Sequence, residues 1–357
     1  MSKGAAGWVR DEIRALAAYA VAPSSGLVKL DAMENPYRLP PAVAERLGRR
    51  LAEVAVNRYP DPAAAGLKAA LRRAMGIPDG LPMVLGNGSD EVLQVITVAL
   101  ARPGATVLAL EPSFVMYRMS TVVAGMRYVG VPLAADFTPD LPATLAAIRR
   151  ERPALVWIAY PNNPTGNLFP REAILAILEA APGLVVIDEA YHPFAGGASF
   201  LPEVGRHPNL VLMRTVSKLG LAGLRLGLAV GPADWMAEFE KVRLPYNVNV
   251  LTAAAAELVL GEPGILEEQA RAIVRDRGLL EAGLDALAGA RRFPSSANFV
   301  LVRVADAPRA FEGLKARGIL VKNLHGSHPL LANCLRLTVG TPDENSMLLS
   351  ALAGTIG

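Results

Sequence analysis

Short apolar runs alternate with amphipathic segments of helical length between residues 61 and 230. An apolar run bounded by turn residues predicts a buried strand, and apolar residues recurring at helical spacing predict a helix. The predicted strands are 106–110, 127–131, 154–159, 184–188, 210–213 and 226–230. The predicted helices are 89–101, 113–123, 141–150 and 170–180. This alternation predicts an α/β fold with a mainly parallel sheet that helices cover on both faces.

A different pattern follows this region. Residues 263–288 have the spacing of a long amphipathic helix. Beyond it we predict strands and helices in the order of a smaller α+β domain: strands 298–304, 318–322 and 335–339, and helices 307–317 and 342–354. We therefore expect three parts: an N-terminal segment (1–40) that joins the small domain, a large domain (41–247) and a small C-terminal domain (248–357).

Composition supports a folded protein and excludes several classes of partner. A chain of 357 residues exceeds the usual limit of one hydrophobic core, which favours two domains. The net charge is only +3 and the basic residues are dispersed, so we expect neither nucleic-acid nor membrane-surface binding. Cys334 is the only cysteine, which excludes an internal disulfide and a cysteine-rich metal site.

The N-terminal residues and the apolar runs predict a soluble, cytoplasmic protein. The first 21 residues contain Asp11 and Glu12 and have no continuous apolar core of the kind found in a signal peptide. No apolar run approaches the roughly 18 residues needed to cross a bilayer.

Polar groups follow the carboxyl ends of the predicted strands, where open parallel sheets bind their ligands. Lys218 comes after strand 210–213 among small and apolar residues. Partial desolvation there would lower the pKa of its amine and make it usable as a nucleophile. A solvated loop lysine is the alternative. The neighbouring side chains favour the functional interpretation because they suit a phosphate: Thr215, Ser217, Arg214 and Arg225.

Two further strand ends carry candidate groups. Asp188 ends strand 184–188, and a carboxylate there could keep a pyridine nitrogen protonated or could simply cap the next helix. Asn163 lies in the turn-rich segment 160–166, where its amide could donate to a cofactor oxygen, with Tyr191 as a second donor. The turn and the donor role are compatible, since the turn would present the amide.

Three more positions have both a functional and an ordinary interpretation. The segment Gly-Asn-Gly-Ser-Asp-Glu (86–91) opens a helix, so its N–H groups could bind phosphate, or Ser89 could be an N-cap. Phe114 could stack on a ring or pack in the core. Arg336 alternates with apolar residues at 335, 337 and 339, so it could bind a substrate carboxylate or lie in solvent.

The ordered set of motifs resembles the pyridoxal-phosphate-dependent aminotransferases of fold type I, and within them the histidinol-phosphate branch. The motifs are Asn-Asn-Pro-Thr-Gly (162–166), Asp-Glu-Ala-Tyr (188–191) and the segment 217–225, which begins Ser-Lys and ends Leu-Arg. The segments 31–37, 57–61, 86–90, 296–299 and 335–340 match the same branch. The resemblance spans nearly the whole chain. It implies a large domain with a mainly parallel seven-stranded sheet and a smaller α+β domain.

The resemblance also assigns cofactor contacts. It implies that Lys218 holds pyridoxal 5'-phosphate as a Schiff base, that Asp188 pairs with the pyridinium nitrogen, and that Phe114 stacks on the ring. Asn163 and Tyr191 would donate to the ring oxygen. The residues that would bind the cofactor phosphate are Ser89, Asp90, Thr215, Ser217 and Arg225.

The loop from Lys218 to Arg225 is one residue shorter than in many relatives. Tyr59 matches a tyrosine that reaches the phosphate from the neighbouring subunit, which implies a homodimer with shared active sites.

For the substrate, the same resemblance implies contacts from Tyr19, Glu34, Asn35 and Arg336, with Tyr19 a candidate contribution from the partner subunit. Lys322 stands where many relatives have an arginine, so it would recognise a phosphate as a point charge. No metal is implied.

The implied reaction is transamination between glutamate and imidazole-acetol phosphate, which yields histidinol phosphate in histidine biosynthesis. Three alternatives stay open. They are an aminotransferase for aromatic amino acids, a decarboxylase such as one acting on threonine phosphate, and a cofactor-binding regulator without turnover. Against the regulator, the sequence has no attached DNA-binding module and no strongly basic face.

Overall fold

A computed structural model describes residues 4–18, 21–262 and 264–356 of the chain. The strands in this part are β1 (Val28–Lys29), β2 (Met83–Asn87), β3 (Thr106–Glu111), β4 (Arg127–Pro132), β5 (Leu155–Ala159), β6 (Leu184–Asp188), β7 (Leu210–Thr215), β8 (Leu226–Val230), β9 (Arg291–Arg292), β10 (Phe299–Arg303), β11 (Ile319–Leu320), β12 (Lys322–Asn323) and β13 (Cys334–Thr338). The helices are α1 (Asp11–Arg14), α2 (Pro41–Ala52), α3 (Ala65–Met75), α4 (Ser89–Ala99), α5 (Val115–Val123), α6 (Leu141–Glu151), α7 (Arg171–Ala180), α8 (Ala233–Val242), α9 (Val250–Leu260), α10 (Ile265–Asp285), α11 (Ala307–Ala316) and α12 (Pro342–Ile356).

The central sheet has seven strands in the order β2-β8-β7-β6-β5-β3-β4. Neighbours from β7 to β4 run parallel, whereas β8 is antiparallel to both β7 and β2. The middle strands are continuous runs of buried valine, leucine and isoleucine because helices cover both of their faces. The predicted mainly parallel sheet is confirmed.

Two helical layers enclose this sheet. On one face, α4, α5 and α8 contribute buried side chains to a core that contains the stacked pair Tyr117 and Trp157. On the other face, α3, α6, α7 and α9 pack their apolar sides against the sheet. Amphipathic helices of this kind gain most of their stability from burying the apolar stripe.

A smaller antiparallel sheet has the order β12-β13-β10-β9 and packs against α10, α11 and α12. Strand β1 pairs in parallel with β11, which joins residues 28–29 to the segment before β12. In the described ranges, no helix has the length and apolar character required to cross a membrane.

One sequence prediction about a strand was wrong, and one strand of the central sheet was missed. The segment 318–322 is not one strand: β11 pairs with β1 and β12 pairs with β13, so the chain changes sheets at Val321. The edge strand β2 was not predicted, because its apolar run Met-Val-Leu is followed by Gly86 and Asn87 and is too short to stand out.

Candidate active site

The predicted cofactor residues converge at the carboxyl edge of β5, β6 and β7. Ten of them line one cavity: Ser89, Asp90, Phe114, Asn163, Asp188, Tyr191, Thr215, Ser217, Lys218 and Arg225. Parallel strands bring their carboxyl ends to one edge, so residues far apart in the chain become neighbours there.

Lys218 lies in a single π-helical turn, Ser217–Leu221, directly after β7. Gly220 in that turn has a φ of 123°, which disfavours any residue with a side chain. The Nζ atom of Lys218 donates to the carbonyl oxygen of Ala32 at 3.2 Å. Burial, and next the charge of Arg336, lower the pKa of the Lys218 amine to about 8. The neutral amine is therefore far more abundant at pH 7 than for a solvated lysine.

Asp188 is the last residue of β6 and is 6% exposed. Burial raises the pKa of its carboxyl to about 6, although hydrogen bonds from Tyr117 and from the N–H of Ala190 lower it. The contact with Ala190 is the local turn role that the sequence left open. Each carboxylate oxygen can accept a second hydrogen bond, so the turn role leaves capacity for a ring nitrogen.

Tyr117 is a cavity residue that sequence reasoning missed. Its hydroxyl donates to Oδ2 of Asp188 at 2.8 Å, and its ring stacks on Trp157 at a centroid distance of 5.0 Å. Burial, and then Asp188, raise the pKa of Tyr117 well above its ordinary value. The signal was available, because Tyr117 follows Phe114 by three residues and positions three apart share a helix face.

The hydroxyl and guanidinium groups form a cup at the start of α4. Nη1 of Arg225 lies 3.4 Å from Oγ of Ser217, and Nη2 donates to Oδ2 of Asp90 at 3.3 Å. Thr215 Oγ1 lies 2.9 Å from the same Ser217 oxygen. Gly88 precedes the helix with a φ of 88°, and a Cβ there would lie 2.6 Å from Nη2 of Arg225. The shorter loop therefore still brings Arg225 to the cup, where a helix N-terminus and a guanidinium both favour an anion.

Arg214 does not join this cup, so its predicted place among the phosphate groups was wrong. Strand alternation turns it away from Thr215, and it is 3% exposed. Its Nε and Nη2 atoms donate to Oε2 of Glu189 at 3.0 and 2.8 Å, and Nη1 donates to the carbonyl oxygen of Met75 at 2.7 Å. Arg214 is thus half of a buried ion pair behind the cavity.

Arg336, on strand β13 of the small sheet, is hydrogen-bonded to Asn163, which follows strand β5 of the central sheet. Nη1 of Arg336 donates to Oδ1 of Asn163 at 2.7 Å, and Nη2 donates to the carbonyl oxygen of Asp31 at 2.8 Å. The arginine is 7% exposed, so the alternative of a solvated surface residue is wrong. Because the Asn163 oxygen is an acceptor here, its amide nitrogen is the atom left to donate into the cavity.

Of the other predicted substrate residues in the described part of the chain, Lys322 lies beside Arg336, whereas Glu34 and Asn35 line a different cleft. Lys322 is directly opposite Arg336 in the β12–β13 ladder, so both side chains leave the sheet on the same face. Oε2 of Glu34 accepts from Nζ of Lys29 at 2.7 Å. Tyr19, another of the predicted substrate residues, lies outside the described residues.

The side-chain amide of Asn35 makes hydrogen bonds within the chain. Its Nδ2 donates to the carbonyl oxygen of Leu219 at 3.0 Å and to Gln269 at 2.9 Å. Asn35 and Glu34 both line a cleft that Thr338 also borders. Asn35 thereby ties the N-terminal segment to the residue that follows Lys218.

Tyr59 is not part of the cavity in its own chain. It is 81% exposed and stacks on Tyr246 with ring centroids 4.6 Å apart. Val56 and Leu244, close to these two in the chain, are also exposed. Aromatic and aliphatic side chains exposed in this way often mark a protein interface.

The donor set of the cavity fits pyridoxal phosphate. The cup offers hydroxyls, a guanidinium and a helix N-terminus for a phosphate, and Asp188 offers a buried carboxylate for a ring nitrogen. Phe114 offers an aromatic face, and Lys218 offers an amine with a lowered pKa.

Comparison with known proteins identifies the family. Residues 25–352 match the model of aminotransferase class I and II. The chain belongs to this family. One relative of this aminotransferase is the histidinol-phosphate aminotransferase of Chromobacterium violaceum, which is 59% identical over 96% of each chain. Histidinol-phosphate aminotransferase 1 of Ralstonia nicotianae is 54% identical over 98% of this chain and 94% of its own.

A solved structure shows the same fold. The histidinol-phosphate aminotransferase of Sinorhizobium meliloti, in complex with pyridoxal-5'-phosphate, has a TM-score of 0.88 and 28% identity to this aminotransferase, over 99% of each chain. The predicted fold-type I architecture is therefore confirmed for the aminotransferase.

Proposed function

We propose that this aminotransferase is a histidinol-phosphate aminotransferase that depends on pyridoxal phosphate. It transfers the amino group of glutamate to imidazole-acetol phosphate, which gives 2-oxoglutarate and histidinol phosphate, and it catalyses the reverse reaction. This transfer is a step of histidine biosynthesis. The observation that carries the proposal is the high identity, over nearly the full length of both chains, to relatives with this activity.

The cofactor, when bound, supplies an aldehyde that accepts the amino group and a protonated ring that withdraws electrons from the reacting carbon. Lys218 would be the residue to which it is attached, and Asp188 would keep the ring nitrogen protonated. Asn163 Nδ2 and the Tyr191 hydroxyl donate to the ring oxygen, while Phe114 packs on the ring face. The phosphate would be held by the cup, in which Asp90 offers its backbone N–H at the start of α4. The cup consists of Ser89, Asp90, Thr215, Ser217 and Arg225.

Lys218 also moves the proton of the reaction. As a free amine, the Nζ atom of Lys218 would remove the proton from the substrate carbon that bears the amino group. A pKa of about 8 suits this task, because a base acts best when its pKa is close to the working pH. Donation to the carbonyl oxygen of Ala32 gives the released amine a defined position.

Two substrates with different anionic groups must share the pocket. Arg336 binds the carboxylate of glutamate, since its guanidinium can donate two parallel hydrogen bonds. Lys322, on the same face of the small sheet, supplies a positive charge for the phosphate of histidinol phosphate. Glu34, Asn35 and Tyr19 complete the substrate pocket in this proposal.

The proposed assembly is a cytoplasmic homodimer in which Tyr59 of one chain reaches the cofactor phosphate of the other. The exposed Tyr59–Tyr246 stack supports an interface at this surface. Sedimentation at micromolar concentration should give a particle of about 75 kDa, twice the 37.7 kDa of the chain. A single 37.7 kDa species at that concentration would argue against the shared site.

A spectral half-reaction tests the activity. Histidinol phosphate added to the yellow holoenzyme should convert its visible absorbance to that of the aminated cofactor, and glutamate should do the same. A response to phenylalanine or tyrosine without one to histidinol phosphate would favour the aromatic aminotransferase. Release of carbon dioxide from threonine phosphate would favour the decarboxylase.

A further inference from the structure

A second cavity lies directly behind the proposed cofactor site and takes no part in the reaction described above. Its volume is about 740 Å³, and Thr215 lines both cavities. One wall is the turn after β6, and the opposite wall is the face of α10 that carries Ala270 and Val274. The position is distinct from the substrate pocket, because Arg336 and Lys322 do not line it.

The charges of the lining do not balance. Four arginines face two glutamates: Arg214, Arg271, Arg275 and Arg277 against Glu189 and Glu267. The carboxylate of Glu189 accepts from Arg214, Ser199 and the N–H of Phe200. The nearest contact between Arg271 and Glu267 is 3.7 Å. Two positive charges in the lining therefore have no lining carboxylate to offset them.

Arg275 and Arg277 account for this surplus. Within residues 4–18, 21–262 and 264–356, the exposed side chain of Arg275 makes no hydrogen bond or ion pair. Arg277 donates to two backbone carbonyl oxygens, those of Phe194 and Ala297. Burial lowers the pKa of Arg277, and the charge of Glu281, which does not line the cavity, partly opposes that effect. Arg271 and Arg275 are also four residues apart on α10, where like charges repel, so an anion between them would relieve the repulsion.

Much of the remaining lining is apolar, although His192, Thr215 and Ser296 also border the cavity. Met75, Pro193, Phe194 and Leu219 contribute side chains alongside Val274. Ligand sites of small molecules combine such an apolar wall with a few polar groups that fix orientation. The cavity therefore has the two parts that an amphipathic anion requires.

We propose that this cavity is a binding site for a small organic carboxylate with an apolar body. The carboxylate meets Arg275 and Arg277, and the apolar body lies between α10 and the segment that carries Phe194. Guanidinium groups recognise a carboxylate by charge and by paired hydrogen bonds, which a neutral amide cannot reproduce.

Calorimetric titration of the holoenzyme with 4-phenylbutyrate tests the proposal without depending on turnover. The probe should bind, and 4-phenylbutyramide should bind about tenfold more weakly or not at all, as expected for the loss of one charge-assisted contact. Arg275→Glu and the milder Arg275→Gln should each weaken binding about tenfold or more. Arg309→Glu changes an exposed arginine on α11 and should leave the affinity unchanged.

Arg336→Ala distinguishes the two cavities. It removes the carboxylate group proposed for the substrate pocket, so the affinity for 4-phenylbutyrate should persist in this variant. No binding to the wild-type holoenzyme at millimolar concentration would overturn the proposal. Wild-type affinity in both Arg275 variants, or loss of binding in Arg336→Ala, would also overturn it.

Discussion

The hydroxyl of Tyr117 donates a 2.8 Å hydrogen bond to Oδ2 of Asp188, and both residues are buried. The bond opposes the effect of burial, which raises the pKa of Asp188 to about 6. Tyr117 therefore helps to keep Asp188 ionised at neutral pH without itself contacting the substrate. We regard it as a positioning residue.

Replacing Tyr117 by phenylalanine should remove this bond while preserving the stack on Trp157. The pKa of Asp188 should rise, so the acidic limb of the kcat profile should move to higher pH. Loss of a hydrogen bond to a charged group costs about 1.5–3 kcal/mol, which corresponds to a fall in kcat of roughly tenfold or more at pH 7. Tyr128→Phe is the control, since Tyr128 bonds to Glu111 outside the cavity. Identical pH profiles for the two variants would contradict this role.

The lowered pKa of Lys218 predicts how the apoprotein takes up its cofactor. Only the neutral amine can condense with an aldehyde, and the neutral fraction grows as pH rises towards the pKa. The rate of reconstitution with pyridoxal phosphate should therefore increase up to about pH 8 and then level off. A rate that keeps rising beyond pH 10 would mean that the amine is not desolvated. Stopped-flow absorbance on the apoprotein gives the profile.

Arg336 should discriminate between the two substrates. Arg336→Lys keeps the charge but loses the planar fork, so we expect KM for glutamate to rise about tenfold. The KM for histidinol phosphate, which has no carboxylate, should change by much less. Because Arg336 also orients Asn163, kcat should fall with both substrates. Steady-state kinetics separates these effects. An equal rise in both KM values would contradict the proposal that Arg336 binds the carboxylate of glutamate.

The buried pair of Arg214 and Glu189 should matter for stability. Arg214→Met leaves the Glu189 carboxylate buried without its cation and should lower the free energy of unfolding by about 3–5 kcal/mol. Adding Glu189→Gln should recover part of that loss, since the uncompensated charge is gone. Urea unfolding of the four proteins in the cycle measures the coupling. If the losses in the two single variants simply add in the double variant, the pair is not coupled, and this role for the pair is contradicted.

Strand ends explain why so much of this site was predictable. Asp188 ends a strand with a clear apolar run, and Lys218 and Asn163 each follow such a strand; parallel strands bring these ends together. The helix pattern was equally clear for α10, which begins at Ile265 and ends at Asp285 within the predicted 263–288.

The sequence alone did not determine which face of a strand a side chain occupies or which strand a short segment pairs with. Arg214 and Thr215 are neighbours in sequence, yet strand alternation sends the arginine to Glu189 and away from the phosphate cup. The division of 318–322 between two sheets depends on pairing with β1 and β13, which no local pattern encodes. Tyr117 was missed because a tyrosine on a buried helix face is usually a core residue.

The covalent attachment at Lys218 is the central claim, and reductive trapping tests it most directly. Borohydride reduction of the holoenzyme fixes the cofactor to the amine that holds it, and peptide mass analysis then identifies that amine. The sequence has seven lysines, and we predict that the added mass appears on Lys218 alone and is absent from Lys218→Ala. A label on any of the other six, or on none, would contradict the account.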